Sequence, residues 1–288
     1  MLKDVKTVAV LGAGIMGNGI AQVCATAGYK VYMRDISDEF VQRGMDSITK
    51  SLDRMLKKEK ITEEDKKGIL ERITPCTDLE TAGKDADVVI EAITENMDLK
   101  KETFQTLDKI CKPSTYFFSN TSNLSITAMA SVTSRPDKFA GMHFMSPPAM
   151  KELIELIKGM DTSDETMEFL KSFTESLNKI YVVCLKDVQG FATSRIINLW
   201  LIEAIRIVYE GVMSPEDLDK ACKYCFGHPM GPIQLADFVG LDTLAIVAND
   251  LKGVYGSRYL VPENLRKMVD AGYLGVKSGR GFYTYDKK

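Results

Sequence analysis

The amino-acid sequence predicts an α/β fold: a doubly wound parallel sheet interrupted by a helical pair, followed by an all-helical C-terminal domain. Three observations predict it. Short apolar runs alternate with amphipathic stretches through the first half of the chain. A glycine-rich turn joins the first of these runs to a helical pattern. From about residue 187 the strand signals stop, and four stretches of helical spacing follow. The expected boundary separates residues 1–186 from residues 187–288.

The first element is the most informative. In "KTVAVLGAGIMGNGIAQVCATAGYKVYMRD" the apolar run VAVL leads into Gly12, Gly14 and Gly17 in G-x-G-x-x-G spacing, and small or apolar residues then recur at helical intervals. The first glycine permits a tight turn, the second lets backbone approach a pyrophosphate, and the third lets helix pack on strand. A helix N-terminus there presents unpaired N–H groups to phosphate. The residues from Gly12 to Gly17, Ile15 and Met16 included, are therefore expected to touch a dinucleotide. A second strand, KVYMRD, ends at Asp35, eighteen residues after Gly17. Its carboxylate suits both ribose hydroxyls and repels a 2′-phosphate, which favours NAD over NADP, although Arg34 beside it works the other way. This is a Rossmann-type unit.

The next segment, "EFVQRGMDSITKSLDRMLKKEKITEEDKKGILERI", reads as a long amphipathic helix followed by a shorter one. Lys50, Arg54, Lys57 and Lys58 fall on one side of the long helix. They suit either a solvated face, with Glu59 and Glu63 nearby, or a clamp for a phosphorylated ligand such as coenzyme A. The α/β pattern then resumes: DADVVIEAI, TYFFSN and KFAGMHF are strands, with MDLKKETFQTLDKI and SITAMASV as helices. Ligands of an open α/β sheet bind beyond the carboxyl ends of its strands, so Glu95, the stretch Asn120-Thr121-Ser122 and His143 are expected at one rim.

His143 is one of two histidines in the chain. Oxidising a secondary alcohol needs a base for the hydroxyl proton while hydride leaves carbon, and histidine suits that task. Glu155, twelve residues on in the strand ELIELI, would be costly there without a partner. A carboxylate on the second ring nitrogen would fix the tautomer of the base. His228, in GHPMGP, belongs to a turn between helices and reads as structural.

Composition excludes several classes. The chain of 288 residues, 45% of them apolar, can bury a large core, and its net charge of −3 gives no global field for nucleic acid or an anionic membrane. No apolar run is long enough to span a membrane, and "MLKDVKTVAVLGAG" lacks a signal-type region, so a cytoplasmic protein is expected. Six scattered cysteines favour reduced thiols. Cys222, Cys225 and His228 start a zinc-like spacing with no second pair, so no metal is expected and the two cysteines read as small buried side chains. Trp200, Leu201, Ile205 and Val208 exceed what one small layer needs, which points to pairing with a second copy.

The stretches VLGAGIMGNGIAQ, RDISDEFVQRG, VIEAITENMDLKK, SNTSNLSIT, RPDKFAGMHF, HPMGPIQLADFVGLD and LGVKSGRGFYTY together resemble the short-chain L-3-hydroxyacyl-CoA dehydrogenase family, most closely its bacterial 3-hydroxybutyryl-CoA dehydrogenases. The resemblance runs almost end to end. It implies NAD-dependent interconversion of (S)-3-hydroxyacyl-CoA and 3-oxoacyl-CoA in a homodimer built through a C-terminal substrate and dimerisation domain. It further implies that His143 is the base, Glu155 its orienter and Ser122 a contact to the substrate oxygen. Glu95, Lys100, Asn120 and Lys277 would bind the cofactor, and Lys50, Arg54 and Lys58 the coenzyme A. The chain departs from the family's H-F-F-N-P with HFMSPP, which puts Ser146 at an asparagine, and from P-G-F-x-x-N-R with QGFATSR, which puts Gln189 at the proline and Ser194 at a further asparagine expected beside the base. A serine is shorter and offers one donor. The departures leave three expectations open: the short-chain acyl-CoA activity, a related activity on another 3-hydroxy acid or thioester, and a weakly active NAD-binding homologue.

Overall fold

The computed structural model describes residues 4–286. The chain divides into two compact units, the first ending at Val188 and the second starting at Gln189.

In the first unit the glycine turn joins β1 (Thr7–Leu11) to α1 (Ile15–Thr26), which returns to β2 (Lys30–Arg34). The helical pair α2 (Asp38–Lys57) and α3 (Glu63–Glu71) follows. Ser37 caps α2 by accepting from the Phe40 N–H, and Thr62 and Asp65 form a capping box on α3. Val41, Gly44, Ile48 and Leu52 set the buried stripe of α2 at steps of three and four. Burial of Ile48 and Leu52 contributes about 1.5–3 kcal/mol each. The charged positions of the same helix are left in solvent.

The sheet is completed by β3 (Ile73–Cys76), α4 (Leu79–Gly83), β4 (Val88–Glu91), α5 (Met97–Ile110), β5 (Tyr116–Ser119), α6 (Ile126–Ala130), β6 (Phe139–Phe144), β7 (Leu153–Ile157), α7 (Asp164–Ser176) and β8 (Ile180–Cys184). The strand order is β3-β2-β1-β4-β5-β6-β7-β8. Every neighbouring pair is parallel except β6 with β7. Val8 to Leu11 and Val88 to Ile90 are wholly buried, as central strands covered on both faces must be. The chain leaves β1 toward β2 on one side and resumes at β4 on the other, so the crevice between β1 and β4 lies at the carboxyl ends of both.

Four elements of this unit escape a reading by pattern. β3 carries Pro75, which cannot donate to a ladder and is tolerated because β3 is an edge strand. β8 is the other edge, with Ile180 and Val182 partly exposed. The short α4 and the longer α7 also lack a strong sequence signal, yet α7 stacks Phe169 on Tyr116 at 3.9 Å between ring centroids.

The second unit contains α8 (Thr193–Tyr209), α9 (Pro215–Phe226), α10 (Pro232–Val239), α11 (Leu241–Tyr255) and α12 (Glu263–Asp270). Among the described residues that is five α-helices where four were expected, the extra one being the short α10. A C-terminal hook follows. It is pinned by two buried carboxylates: Asp237 accepts from the N–H groups of Phe282 and Tyr283 and from the Tyr285 hydroxyl, and Asp219 accepts from the N–H groups of Ile233 and Gln234 and from the Tyr283 hydroxyl. Burial, together with these carboxylates, pushes the Tyr283 and Tyr285 hydroxyls well above the usual tyrosine range.

Two sequence expectations for this unit need correction. Leu201 and Ile205 are buried in its own core, and Trp200 and Val208 pack against that core, so they are not surplus. The most exposed apolar side chains include instead Ile196, Tyr224, Phe226, Phe238, Ile246 and Val254. Cys222 is buried as expected but Cys225, three residues on, faces solvent. His228 packs edge-on against Trp200 at 4.8 Å. All six cysteines are free thiols. Among the described residues no helix is long and apolar enough to cross a membrane, and no group of three His, Cys, Asp or Glu is placed to share a metal ion.

Candidate active site

The site begins at the glycine turn. Gly12 has φ +100°, and a Cβ there would lie 2.5 Å from the Ala92 carbonyl oxygen; a Cβ on Gly17 would lie 1.8 Å from the carbonyl oxygen of Gly12. Neither position accepts a side chain. Gly14 differs, because an added Cβ would meet nothing within 4 Å. Its backbone borders open space. The helix α1 opens at Ile15 without a side-chain cap, which leaves first-turn N–H groups for an anion. Ile15 is exposed there and Met16 half-buried.

Asp35 stands just past β2. Its two oxygens accept from the N–H groups of Ala13 and Ile36, each at 2.7 Å, which fixes the carboxylate beside the turn. A cavity of about 440 Å³ adjoins it, lined by Gly14, Asp35, Ile36, Phe40 and Leu99 among others. Arg34 lines the same cavity, with its Nε donating to the Thr77 carbonyl at 2.9 Å. Open backbone at Gly14, an uncapped helix start, a fixed carboxylate and an apolar cavity together fit NAD.

Across the crevice the rim is a hydrogen-bonded set. Glu95 Oε1 accepts from the Thr121 hydroxyl and from the Ser122 N–H, the latter at 3.2 Å. Glu95 Oε2 lies 3.3 Å from Lys100 Nζ. Lys100 itself is 1% exposed. It sits beneath the rim, paired with Glu91 at 2.5 Å. Asn120 accepts from the Phe144 N–H at 2.8 Å and joins the ends of β5 and β6.

Ser122 Oγ lies 3.1 Å from His143 Nε2, and His143 Nδ1 lies 3.1 Å from Glu155 Oε2. The carboxylate only accepts, so Nδ1 carries hydrogen and, in the neutral ring, Nε2 is the basic nitrogen facing Ser122. Glu155 is fully buried, and the Cys184 thiol donates to its other oxygen at 3.1 Å. Thiol, carboxylate, imidazole and hydroxyl form one line ending at the rim. Such a line can take a proton at Nε2 and stabilise the resulting imidazolium. Ser146 lies on the exposed loop beyond β6, with a cis bond to Pro147.

The remaining expected residues lie on other elements. Lys50, Arg54 and Lys57 are exposed on α2 and Lys58 closes it as the C-cap. Ser194 and Lys277 belong to the second unit. Ser194 is in the first turn of α8, where its carbonyl accepts from Asn198 Nδ2 at 2.8 Å, and Lys277 pairs with Asp242 at 2.5 Å. Sequence reasoning missed Glu91 and Cys184. An acid closing the apolar strand VVIE is a visible signal for Glu91; a cysteine at the end of an edge strand gives none.

Residues 7–188 match the family model described as "3-hydroxyacyl-CoA dehydrogenase, NAD binding domain", and residues 190–285 match that described as "3-hydroxyacyl-CoA dehydrogenase, C-terminal domain". A Bacillus subtilis protein named "Probable 3-hydroxybutyryl-CoA dehydrogenase" is 46% identical over 286 residues, 99% of each chain. A 3-hydroxybutyryl-CoA dehydrogenase of Bradyrhizobium diazoefficiens is 43% identical over 286 residues, 99% of this chain and 97% of its own. The crystal structure of an (S)-3-hydroxybutyryl-CoA dehydrogenase from Ralstonia eutropha superposes with a TM-score of 0.93 at 44% identity, covering 99% of this chain and all of that one. The chain belongs to the 3-hydroxyacyl-CoA dehydrogenase family of NAD-dependent oxidoreductases.

Proposed function

We propose that the protein interconverts short-chain (S)-3-hydroxyacyl-CoA and 3-oxoacyl-CoA, with 3-hydroxybutyryl-CoA as its substrate. The line Ser122–His143–Glu155 at the rim of the NAD crevice carries this reading. In the oxidative direction His143 Nε2 accepts the proton of the substrate hydroxyl, and Ser122 holds the same oxygen in place. Glu155 keeps Nδ1 protonated and stabilises the imidazolium. Bound NAD supplies the hydride acceptor, and NADH the hydride in reverse. Glu95 steadies the nicotinamide side, with Asn120 setting the spacing of the two strand ends.

The substrate class is supported by the relatives' names and by α2. Lys50, Arg54, Lys57 and Lys58 are exposed and make no ion pair among the described residues, which suits the phosphates of coenzyme A. Lys277 joins the cofactor contacts. A homodimer is supported by the apolar surface of the second unit at Ile196, Tyr224, Phe226, Phe238, Ile246 and Val254. Ser146 and Ser194 favour a second reading, a dehydrogenase for another 3-hydroxy acid or thioester, because each replaces an amide with a single hydroxyl.

The test is loss of NADH absorbance with acetoacetyl-CoA, against free acetoacetate and against the His143→Ala chain. Turnover confined to the thioester and to the chain with His143 supports the proposal. Equal rates on the free acid would remove coenzyme A from it.

A further inference from the structure

We infer that Glu91 is a positioning residue for the rim, holding Glu95 and Ser122 in place through Lys100 and Ser119 while touching neither coenzyme nor substrate itself. The inference rests on the reading of Glu95 and Ser122 as residues of the nicotinamide side. Glu91 is the last residue of β4, at the switch point, and is fully buried. A carboxylate at the end of the run VVI is not what stability alone selects, because apolar residues commonly replace buried ion pairs without loss.

The geometry shows what the charge does. Glu91 Oε1 accepts from the Ile93 N–H at 2.7 Å and from Lys100 Nζ at 2.5 Å; Oε2 accepts from the Ser119 hydroxyl at 2.5 Å. Lys100 reaches past Glu91 to Glu95 Oε2 at 3.3 Å and donates to the Ile93 carbonyl at 3.4 Å. One ammonium thus ties the strand end to the loop that carries Glu95. On the other side Ser119 Oγ accepts from the Thr121 N–H at 3.3 Å, which anchors the loop that carries Ser122. Glu95 closes the ring by accepting from Thr121 and Ser122. Two loops from different strands are held by one carboxylate below them, and each side chain of the ring has partners on both sides. Lys100 is therefore a strut, and Glu91 the post on which it stands.

The experiment is a mutant cycle on the full chain, read by fluorescence titration of NADH and by thermal unfolding. Glu91→Gln and Glu95→Ala are each expected to weaken NADH by about tenfold, and the double variant to bind within about twofold of Glu95→Ala alone, since residues acting through one contact do not add. Glu91→Gln/Lys100→Met removes both interior charges and keeps the fold accessible should the single variant unfold; its NADH affinity is expected to stay about tenfold down while its melting temperature recovers. Three outcomes overturn the inference. The first is unchanged NADH affinity in Glu91→Gln, whatever its melting temperature, beside a weakened Glu95→Ala. The second is a multiplicative loss in the double variant. The third is an unchanged Glu95→Ala, which removes the reading of Glu95 itself and is told apart from the first by that single variant.

Discussion

His143 and Glu155 face each other as register partners across the antiparallel pair β6–β7, with Nδ1 and Oε2 3.1 Å apart. The contact is set by backbone pairing rather than by flexible side chains reaching from separate elements. Glu155→Gln is expected to keep the fold but offer an amide that no longer fixes the tautomer or compensates an imidazolium. The rate constant for NADH oxidation should fall about 10²–10⁴-fold with NADH affinity unchanged. Steady-state kinetics beside an NADH titration decides it; a fall in both together would point to a structural effect.

The Cys184 thiol donates to the other oxygen of Glu155. Removing that donor leaves the buried carboxylate with one hydrogen bond fewer and space beside it, so its hold on the His143 ring loosens. In Cys184→Ala the rate constant for alcohol oxidation should fall about threefold to tenfold with NAD affinity unchanged, whereas Cys184→Ser keeps a donor and should stay near the parent. Identical rates for the alanine and parent chains would remove the thiol from the line.

Asp35 should govern the choice of coenzyme without help from Arg34, whose Nε is committed to Thr77. Asp35→Ala is expected to weaken NAD about tenfold to a hundredfold through loss of charged hydrogen bonds to the ribose. Affinity for NADP should rise only modestly: the repelling carboxylate is gone, but Arg34, which lines the same cavity, keeps its Nε on the Thr77 carbonyl. Titration of both coenzymes tests this, and a tight NADP complex in the variant would contradict it.

Asp108 links the C-terminal part of α5 to the turn before β6. It accepts from the Ser134 N–H at 2.7 Å and pairs with Arg135 at 2.7 Å. Burial raises its pKa, but the Ser134 hydrogen bonds and the Arg135 guanidinium outweigh burial and leave it below the ordinary value. A depressed carboxyl contributes stability above its unfolded pKa and loses it as pH falls through the folded one. Asp108→Asn should therefore lower unfolding free energy by roughly 1–2 kcal/mol at pH 7. The gap from the parent should close below about pH 3.8, the ordinary value. Urea midpoints at pH 7 and pH 3 measure it; an equal gap at both would mean the charge is irrelevant.

What was legible in the sequence was local. The glycine turn and Asp35 lie within one strand–helix–strand unit, where chain order and spatial order coincide. His143 was legible because two histidines leave few alternatives, and Glu155 because strand alternation buries it. The burial of Lys100 was not legible, since it depends on Glu91, which needs β4 and α5 packed before the two meet. Cys184 meets Glu155 only across the pairing of β7 with β8, and nothing in "YVVCLKD" announces that. Pro75 hid β3, and the exposed apolar residues of the second unit were misplaced because helical spacing alone does not say which stripe a small bundle turns inward.

The reversal at β7 has a further meaning for how this catalytic pair is made. Parallel neighbours need a crossover, but base and orienter sit on consecutive strands joined by residues 145–152 alone, so they form with one hairpin-like closure of low contact order. The connecting loop, which carries Ser146, is then free to change its chemistry while the ladder holds the pair. A slip of that ladder by a single residue would instead turn Glu155 to the opposite face of the sheet and dismantle the site at one stroke.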